Sequence, residues 1–217
     1  MNHRQLLQDA RFLLVTDPRP DLAARVAAAV GGGVDVVQLR GKRASREELL
    51  PLAVELKEIC ERAGALFTVN DDLQLARLSG AHGVHLGQED EPTASAREML
   101  GPGVVVGRSV SSVEEAREAV REGADYLGVG TVYATPTKPE EVAAGPALLR
   151  EISSAAIPVP WFAIGGVTLE TAREVVEAGA PGFAVVRAVL DAEDPAAAAR
   201  ELRSFLAGAA SRDRARA

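Results

Sequence analysis

A strict alternation of short apolar runs with segments of helical periodicity constrains the fold of this 217-residue chain more than any other feature. Each run is rich in β-branched and other apolar residues, as strands are, and each is followed by a segment whose apolar residues recur at helical spacing. Several of these segments begin and end at residues typical of helix caps, for example Ser45 to Gly64, Ser112 to Gly123 and Thr168 to Gly179. The eight runs are FLLVT (12–16), VDVVQLR (34–40), LFTVN (66–70), GVHLG (83–87), VVVGR (104–108), YLGVG (126–130), WFAIGG (161–166) and GFAVV (182–186).

Eight strand–helix pairs in alternation predict an α/β fold with a parallel sheet. For eight units the closed (β/α)₈ TIM barrel is the leading solution, and an open doubly wound sheet is the structural alternative. No linker rich in Gly and Ser divides the chain. We therefore predict a single (β/α)₈ barrel domain over residues 1–208 and a charged, frayed C-terminal tail over residues 209–217.

Composition and charge exclude several classes of protein. Hydrophobic residues make up 47% and charged residues 25% of the chain, which is typical of a soluble globular protein. The net charge of −7 argues against a general nucleic-acid or membrane-surface binder, so an anionic ligand would need a local cluster of donors. The single cysteine, Cys60, cannot form an internal disulfide, and no apolar run approaches transmembrane length. We expect a cytoplasmic protein with neither nucleic acid nor a membrane as its partner.

The second apolar run ends in three hydrogen-bond donors, Gln38, Arg40 and Lys42. Active sites of (β/α)₈ barrels lie at the C-terminal ends of the strands. Because strand side chains alternate between faces, Gln38 and Arg40 face the barrel interior and its mouth if Val37 and Leu39 face the helices. An amide, a guanidinium and an ammonium that converge there would bind a group such as diphosphate. The alternative is a solvated strand end with surface Arg and Lys.

Carboxylates stand at the ends of the next two strands. Asn70 and Asp71 close the third run, and Asp90 follows the fourth. Mg²⁺ uses few protein carboxylates and completes its shell with water and phosphate oxygens, so the pair predicts a magnesium site beside the donor cluster. The alternative for Asp71 is a capping role at the helix that begins DLQLA.

Two further segments carry groups that suit phosphate. TVYATPTK (131–138) offers hydroxyl donors and Lys138 on a loop interrupted by proline, which predicts either a lid that excludes water or an ordinary mobile surface loop. IGGV (164–167) places Gly165 and Gly166 where backbone N–H groups would be open to an anion, as in the phosphate sites after strands seven and eight of such barrels. A tight turn is the alternative for the glycine pair.

The remaining reactive side chains are interpreted as structural. Cys60 lies within a helical segment and is expected to be a packed side chain, not a nucleophile. His3 lies in an N-terminal segment that we expect to fray, and His82 lies in a loop before a strand. His85 alternates with apolar neighbours, so we interpret it as an interior histidine of the barrel, with a catalytic role as the alternative. The sequence contains no Ser-His-Asp order, zinc-ligand spacing or P-loop.

Seven motifs occur in one order along the chain: QLRGK, NDDLQLA, GVHLGQED, GRS, DYLGVG, ATPTK and AIGGV. Together they resemble thiamine phosphate synthases over roughly residues 12–192. GVHLGQED combined with QLRxK and TxTK is specific, whereas any one of them alone is not. The resemblance implies a transferase that condenses 4-amino-2-methyl-5-hydroxymethylpyrimidine diphosphate with thiazole phosphate, through dissociative loss of diphosphate, to give thiamine monophosphate and pyrophosphate. It also implies Mg²⁺ as the cofactor and a homo-oligomer.

The resemblance further implies roles for individual residues. The implied catalytic residues are Arg40, Lys42, Ser109 and Lys138, and the implied Mg²⁺ ligands are Asp71 and Asp90. The residues implied to bind the pyrimidine diphosphate are Gln38, Leu39, Arg40, Gly41, Lys42, Asn70, Ser109 and Lys138. Those implied to bind the thiazole phosphate are Thr135, Pro136, Thr137, Gly165, Gly166, Val186 and Arg187.

Three positions depart from the family pattern. Asp72 stands where an arginine is common, Thr131 where a proline usually follows Gly130, and Arg187 where a serine usually closes the phosphate site. The departures bear on the thiazole side more than on the pyrimidine side. The nearest alternative is the related thiazole tautomerase, which keeps a histidine after GRSV where this chain has Ser111. A non-catalytic phosphate-binding barrel and another phosphate-handling barrel enzyme are the remaining alternatives.

Overall fold

Residues 2–136 and 142–214 are described by the structure, a computed structural model, with side chains as far as Leu206. Thr137 and Lys138 of the predicted loop therefore lie outside the described residues. Within those two ranges, no helix is both long and apolar enough to cross a bilayer.

The eight strands close into a parallel barrel in chain order, with the last strand paired to the first. They are β1 (Phe12–Thr16), β2 (Val36–Leu39), β3 (Leu66–Asn70), β4 (Gly83–Leu86), β5 (Val105–Val110), β6 (Tyr126–Val129), β7 (Trp161–Ala163) and β8 (Phe183–Val185). The predicted (β/α)₈ barrel is therefore confirmed, and the open doubly wound sheet is excluded. Because all strands run parallel, their C-terminal ends meet at one mouth of the barrel.

Helices surround the barrel, and the described residues contain two more than the periodicity predicts. They are α1 (His3–Asp9), α2 (Leu22–Gly31), α3 (Arg46–Ala63), α4 (Leu73–Ser79), α5 (Thr93–Leu100), α6 (Val113–Arg121), α7 (Gly145–Ser154), α8 (Ala172–Glu177), α9 (Arg187–Leu190) and α10 (Pro195–Arg214). The additional helices are α1 and the short α9. Helix α10 continues past the predicted end of the barrel at residue 208, so the segment predicted as a tail is helical in its backbone as far as Arg214.

Cap chemistry explains where several helices begin and end. Ser45 accepts a hydrogen bond from the Glu48 N–H while the Glu48 carboxylate accepts one from the Ser45 N–H, and α3 stops at Gly64, which adopts φ 73°. Ser112 caps α6 as predicted, and its hydroxyl oxygen accepts a hydrogen bond from the Glu115 N–H at 3.1 Å. The predicted start at Thr168 is wrong, because the Thr168 N–H donates to Thr171 Oγ1 in a turn and α8 begins only afterwards.

Helix α1 is a part of the fold that the sequence patterns missed. The expectation that His3 lies in a fraying end is wrong, since α1 begins at His3 and the Asn2 side chain accepts a hydrogen bond from the Arg4 N–H. Leu7 is buried in the same cluster as Leu13 of β1 and the other interior strand residues. The helix thereby closes the N-terminal end of the barrel, opposite the mouth.

The barrel has two apolar layers that follow the alternation of strand side chains. Val37 and Leu39 of β2 pack in the outer layer between strands and helices, whereas Val36 packs in the inner cluster. The inner cluster also holds Tyr126 and Phe162, whose rings pack edge to face with centroids 5.8 Å apart. The floor of the barrel is thus apolar, and the interior positions nearer the mouth are left for polar side chains.

Candidate active site

A cavity of about 990 Å³ opens at the C-terminal ends of the strands, at the upper end of the size range of small-molecule sites. It is lined by side chains and backbone from strands and loops on all sides of the barrel. The predicted site residues that line it are Gln38, Arg40, Lys42, Asn70, Asp71, Asp90, Ser109, Thr135, Pro136, Gly165, Gly166, Val186 and Arg187. The fold therefore brings together groups that lie far apart in the sequence.

Three of the five residues predicted at positions 38–42 line this cavity, namely the donors Gln38, Arg40 and Lys42. Gln38 is buried, and its side-chain Nε2 donates to Asn70 Oδ1 at 2.8 Å. Lys42 is exposed, with its Nζ 4.0 Å from Asp71 Oδ2. The cavity lining does not include Leu39, which is buried toward the helices, or Gly41, where an added Cβ would lie 2.7 Å from the Leu49 side chain.

The acidic pair lies beside the donor cluster, and the neighbouring Asp72 provides the helix cap. Asp72 accepts a hydrogen bond from the Leu75 N–H at 2.9 Å and pairs with Arg46 at 2.8 Å. Asp71 adopts φ 62°, and its N–H donates to the His85 carbonyl oxygen at 2.9 Å. The alternative that Asp71 merely caps α4 is therefore wrong, and its carboxylate faces the cavity.

Asp71 and Asp90 hydrogen-bond to each other, and this contact shapes their titration. Burial, together with the hydrogen bond and the charge of Asp90, raises the pKa of Asp71 to about 6. Burial acts on Asp90 too, but the hydrogen bonds from Asp71 and from the Gly87 N–H hold the pKa of Asp90 below its usual range. The Gly87 N–H donates to Asp90 Oδ2 at 2.6 Å.

The pair is suited to a hard cation that takes few protein ligands. Two adjacent carboxylates repel each other when both are ionised, and a divalent ion between them would remove that repulsion. In the part of the chain that the structure describes, no group of three or more His, Cys, Asp or Glu residues could hold a metal. An ion at Asp71 and Asp90 would therefore need water or ligand oxygens to complete its shell.

The glycine pair lies where the loop after β6 crosses the end of β7. The Val132 N–H donates to the Ile164 carbonyl at 2.9 Å, and the Tyr133 N–H donates to the Gly165 carbonyl at 3.0 Å. Gly165 and Gly166 adopt φ values of 103° and 65°, and a Cβ on either would lie 2.6 Å from a carbon of the crossing loop. The glycines thus allow this close approach and still line the cavity.

The remaining predicted residues line the cavity from the segments that follow β6 and β8. Val186 and Arg187 line it at the start of α9, and Arg187 is exposed at the rim. Thr135 and Pro136 line it from the loop after β6. Thr137 and Lys138 were also predicted, and they lie outside the described residues.

Polar side chains inside the barrel form a connected group beneath the cavity. His85 Nε2 lies 2.9 Å from Ser109 Oγ, and His85 Nδ1 lies 3.1 Å from the Tyr126 hydroxyl. This position agrees with the prediction that His85 lines the barrel interior. The contact with Tyr126 was not predicted from the sequence. The sequence feature that accompanies this contact is Gly107, because a Cβ at that position would lie 2.1 Å from the Tyr126 ring.

The sequence patterns missed several residues that line the cavity without belonging to a motif. Arg43, Ser111 and Thr168 are among them. Ser111 is held by Glu115, which accepts hydrogen bonds from the Ser111 N–H at 2.7 Å and hydroxyl at 3.0 Å. All three lie in the loops that follow strands, where alternation no longer predicts the direction of a side chain.

With this geometry established, comparison with known proteins assigns the family. The family profile described as Thiamine monophosphate synthase matches residues 12–189. The chain belongs to the thiamine monophosphate synthase family. The match spans all eight strands, so the family assignment covers the whole barrel and the walls of the cavity.

Individual members of the thiamine monophosphate synthase family resemble the chain over most of its length. A thiamine-phosphate synthase of Synechocystis is 47% identical over 204 residues, which cover 93% of this chain and 59% of that protein. One from Acidothermus cellulolyticus is 47% identical, with 94% and 98% covered. The chain thus spans about three fifths of the cyanobacterial relatives. Among solved structures, thiamine phosphate pyrophosphorylase from Pyrococcus furiosus matches with a TM-score of 0.84 at 37% identity, covering 96% of this chain and 99% of that one.

Proposed function

We propose that this chain is a thiamine phosphate synthase, a transferase that joins the pyrimidine diphosphate to thiazole phosphate and releases pyrophosphate. The observation that carries the proposal is the juxtaposition, at one barrel mouth, of the donor set Gln38, Arg40 and Lys42 with the carboxylates of Asp71 and Asp90. Two cationic side chains beside an acidic pair that could hold a divalent ion would suit a diphosphate leaving group. The relatives named above as thiamine-phosphate synthases support the same reaction.

The diphosphate would lie between the donor set and Ser109. Arg40 would bind its oxygens through two parallel N–H donors, and Lys42 would add a point charge near Asp71. The paired amides of Gln38 and Asn70 would orient the pyrimidine ring below it. Lys138 belongs to this proposed set on the strength of the TxTK motif alone.

Mg²⁺ is the cofactor we propose, with Asp71 and Asp90 as its protein ligands. The raised pKa of Asp71 supports this assignment, since the two carboxylates compete for one proton when no cation separates them. When bound, the ion would supply Lewis-acid stabilisation of the negative charge on diphosphate, an effect of several kcal/mol.

The reaction itself needs no protein nucleophile. The bond between the pyrimidine methylene carbon and the diphosphate oxygen breaks, and its electron pair leaves with the diphosphate. The thiazole nitrogen then donates its lone pair to the carbon cation, which forms the new C–N bond and a thiazolium ion without any proton transfer. The protein's residues therefore act by holding the two substrates in line and by stabilising the departing charge.

The thiazole phosphate would bind on the opposite wall. We propose that Thr135 and the N–H groups near Gly165 and Gly166 receive its phosphate, with Thr137 added from the motif. Val186 and Arg187 would close this side. Arg187 would replace the smaller hydroxyl donor of the family pattern with a longer cationic one, which still suits phosphate.

The pyrophosphate-release assay tests the proposal most directly. Purified protein would receive the pyrimidine diphosphate, thiazole phosphate and Mg²⁺, with each omitted in turn, and thiamine monophosphate would be identified as the second product. Asp90→Asn removes one proposed Mg²⁺ ligand, and Glu98→Gln makes the same charge change on the exposed face of α5. We expect release to need all three components, to fall at least about 100-fold in Asp90→Asn and to persist in Glu98→Gln.

Other outcomes of this assay would indicate a different function. Phosphate binding without turnover would favour a non-catalytic barrel. Conversion of a thiazole phosphate isomer without any pyrophosphate would favour the tautomerase, although Ser111 stands where that enzyme keeps its histidine.

We also propose a cytoplasmic location and a homo-oligomeric state. The location is supported by the one cysteine, a buried free thiol whose pKa burial raises to about 12. The oligomer is supported by family resemblance alone. Light scattering coupled to size-exclusion chromatography would contradict it by reporting the mass of one 22.7 kDa chain.

A further inference from the structure

Three polar side chains from three adjacent strands lie between the apolar floor of the barrel and the cavity. Ser109 of β5 contacts His85 Nε2 at 2.9 Å, and Tyr126 of β6 contacts His85 Nδ1 at 3.1 Å. Tyr126 is fully buried, whereas Ser109 lines the cavity. The group thus links a side chain that no ligand can reach to one that faces the ligand.

Two glycines provide the space that this arrangement needs. A Cβ on Gly107 would lie 2.1 Å from Tyr126 Cζ and 2.6 Å from His85 Nδ1. A Cβ on Gly128 would lie 3.2 Å from His85 Cε1. Any larger residue at 107 would push the phenol and the imidazole apart. The strands β5 and β6 therefore carry glycine at the two points where the histidine ring has to fit.

The chemistry of the donors and acceptors selects the direction of the hydrogen bonds. Burial raises the pKa of Tyr126, so the phenol keeps its proton and remains a donor. A neutral imidazole accepts at only one nitrogen, and the phenol is a stronger donor than the aliphatic hydroxyl of serine, so Tyr126 donates to His85 Nδ1. The other nitrogen, Nε2, then carries the hydrogen and donates it to Ser109 Oγ.

The direction decides what Ser109 presents to a ligand. With Nε2–H donating to its oxygen, the Ser109 hydroxyl keeps its own hydrogen for a partner in the cavity. In the opposite direction the serine would give its hydrogen to His85 and present only lone pairs, which repel an anion. We propose that Tyr126 and His85 are positioning residues that fix the Ser109 hydroxyl as a donor to the diphosphate. This inference rests on the proposed function, because it takes diphosphate as the anion.

Nuclear magnetic resonance of the histidine side chains reads the proposed tautomer directly. The chain has 3 histidines, and the signal that disappears in His85→Gln assigns His85. We expect ¹⁵N shifts of a neutral ring protonated on Nε2, and a loss of that preference in Tyr126→Phe, which keeps the ring but not the hydroxyl. Phe162→Leu is the matched control, because it disturbs the packing of Tyr126 and leaves the phenol in place. A dominant Nδ1–H form in the unaltered protein would overturn the inference.

A double-mutant cycle separates positioning from a structural role. Tyr126→Phe and Ser109→Ala are each expected to weaken pyrophosphate binding, measured by calorimetry, on the order of ten-fold. If Tyr126 acts through Ser109, Tyr126→Phe has no further effect when Ser109→Ala is already present. Full additivity of the two losses would overturn the inference, since it would mean that Tyr126 acts independently of the serine.

The two readouts also separate this inference from the proposed function. Synthase activity is measured on the same variants, where kcat/KM for the pyrimidine diphosphate is expected to follow pyrophosphate binding. An unaltered protein without synthase activity, but with the Nε2–H form and a non-additive cycle, would reject the function and keep the positioning role. Normal synthase activity with an additive cycle would keep the proposed function and reject the positioning role.

Discussion

The side-chain amide of Gln38 donates to the amide oxygen of Asn70 across 2.8 Å, joining neighbouring strands β2 and β3 at the floor of the cavity. The contact fixes which end of each amide points in which direction, because Nε2 and Oδ1 are already paired. It also places a polar, uncharged pair directly beside Asp71. The site therefore holds its negative charge on the acidic pair and keeps the adjacent floor neutral.

Asn70→Asp tests the need for a neutral floor. The new carboxylate can still accept from Gln38, but it adds negative charge beside Asp71 and opposes a diphosphate. We expect kcat/KM for the pyrimidine diphosphate to fall at least about 10-fold, with the melting temperature little changed. Asn2→Asp is the matched control, since that side chain only caps α1 and Asp caps equally well. An active Asn70→Asp enzyme would contradict the proposed site.

Arg40→Gln tests the cationic side of the cavity. Gln keeps hydrogen-bond donors but loses the charge and the paired geometry that suit the departing diphosphate. By comparison with the loss of one oxyanion donor, we expect kcat to fall about 100-fold, or roughly 2.7 kcal/mol. Arg62→Gln removes the same charge from the exposed last turn of α3, where it pairs only at 3.8 Å with Glu58, and should leave kcat unchanged. Equal effects of the two variants would indicate a general charge effect.

The strand pattern of the barrel and most of the cavity could be predicted from the sequence, because both depend on alternation. Once Val37 and Leu39 face the helices, Gln38 has to face inward, and the ends of parallel strands have to meet. The same rule gave the interior position of His85. Alternation therefore predicts whether a strand residue faces the interior or the helices, and the parallel strands predict the end of the barrel at which it lies.

Contacts set by tertiary structure could not be predicted in this way. Asp71 and Asp72 are equivalent carboxylates in the sequence, and they are told apart only by the positive φ of Asp71, which its hydrogen bond to the neighbouring strand holds. The contact of His85 with Tyr126 joins residues 41 positions apart, and it depends on the register of β4 to β6. Helix α1 is too short for its periodicity to be recognised, and it is stabilised by the burial of Leu7.

His82 makes stability depend on pH at the opposite end of the barrel. Its Nδ1 accepts the Phe67 N–H at 3.0 Å, and its Nε2 lies 3.3 Å from Glu61. Burial lowers the pKa of His82 in spite of Glu61, and the nearby His3 and Lys57 act in the same direction as burial. The folded-state pKa therefore lies below the unfolded one, so this contribution is complete above about pH 6.5 and is lost as the pH falls through the folded value.

Thermal melts between pH 8 and pH 5 check this dependence. His82→Asn can supply an acceptor oxygen to the same N–H without titrating, so the unaltered protein should lose more stability than the variant across that range. The same substitution at His3, whose side chain only stacks on His82 at 4.5 Å, serves as the control. Parallel curves for the unaltered protein and His82→Asn would show that the buried imidazole is not responsible.

Gly107→Ala tests whether the interior of the barrel is as closely packed as the Tyr126–His85 contact requires. The added methyl group would lie 2.1 Å from a buried aromatic carbon, so the ring has to move within a filled core. We expect the free energy of unfolding to fall by about 1–3 kcal/mol, measured by denaturant titration. Gly103→Ala places its methyl group where nothing lies within 4 Å, and it should change stability by less than about 0.5 kcal/mol. If Gly107→Ala were equally neutral, the phenol would have room to shift, and the hydrogen bond to His85 would not be held by packing.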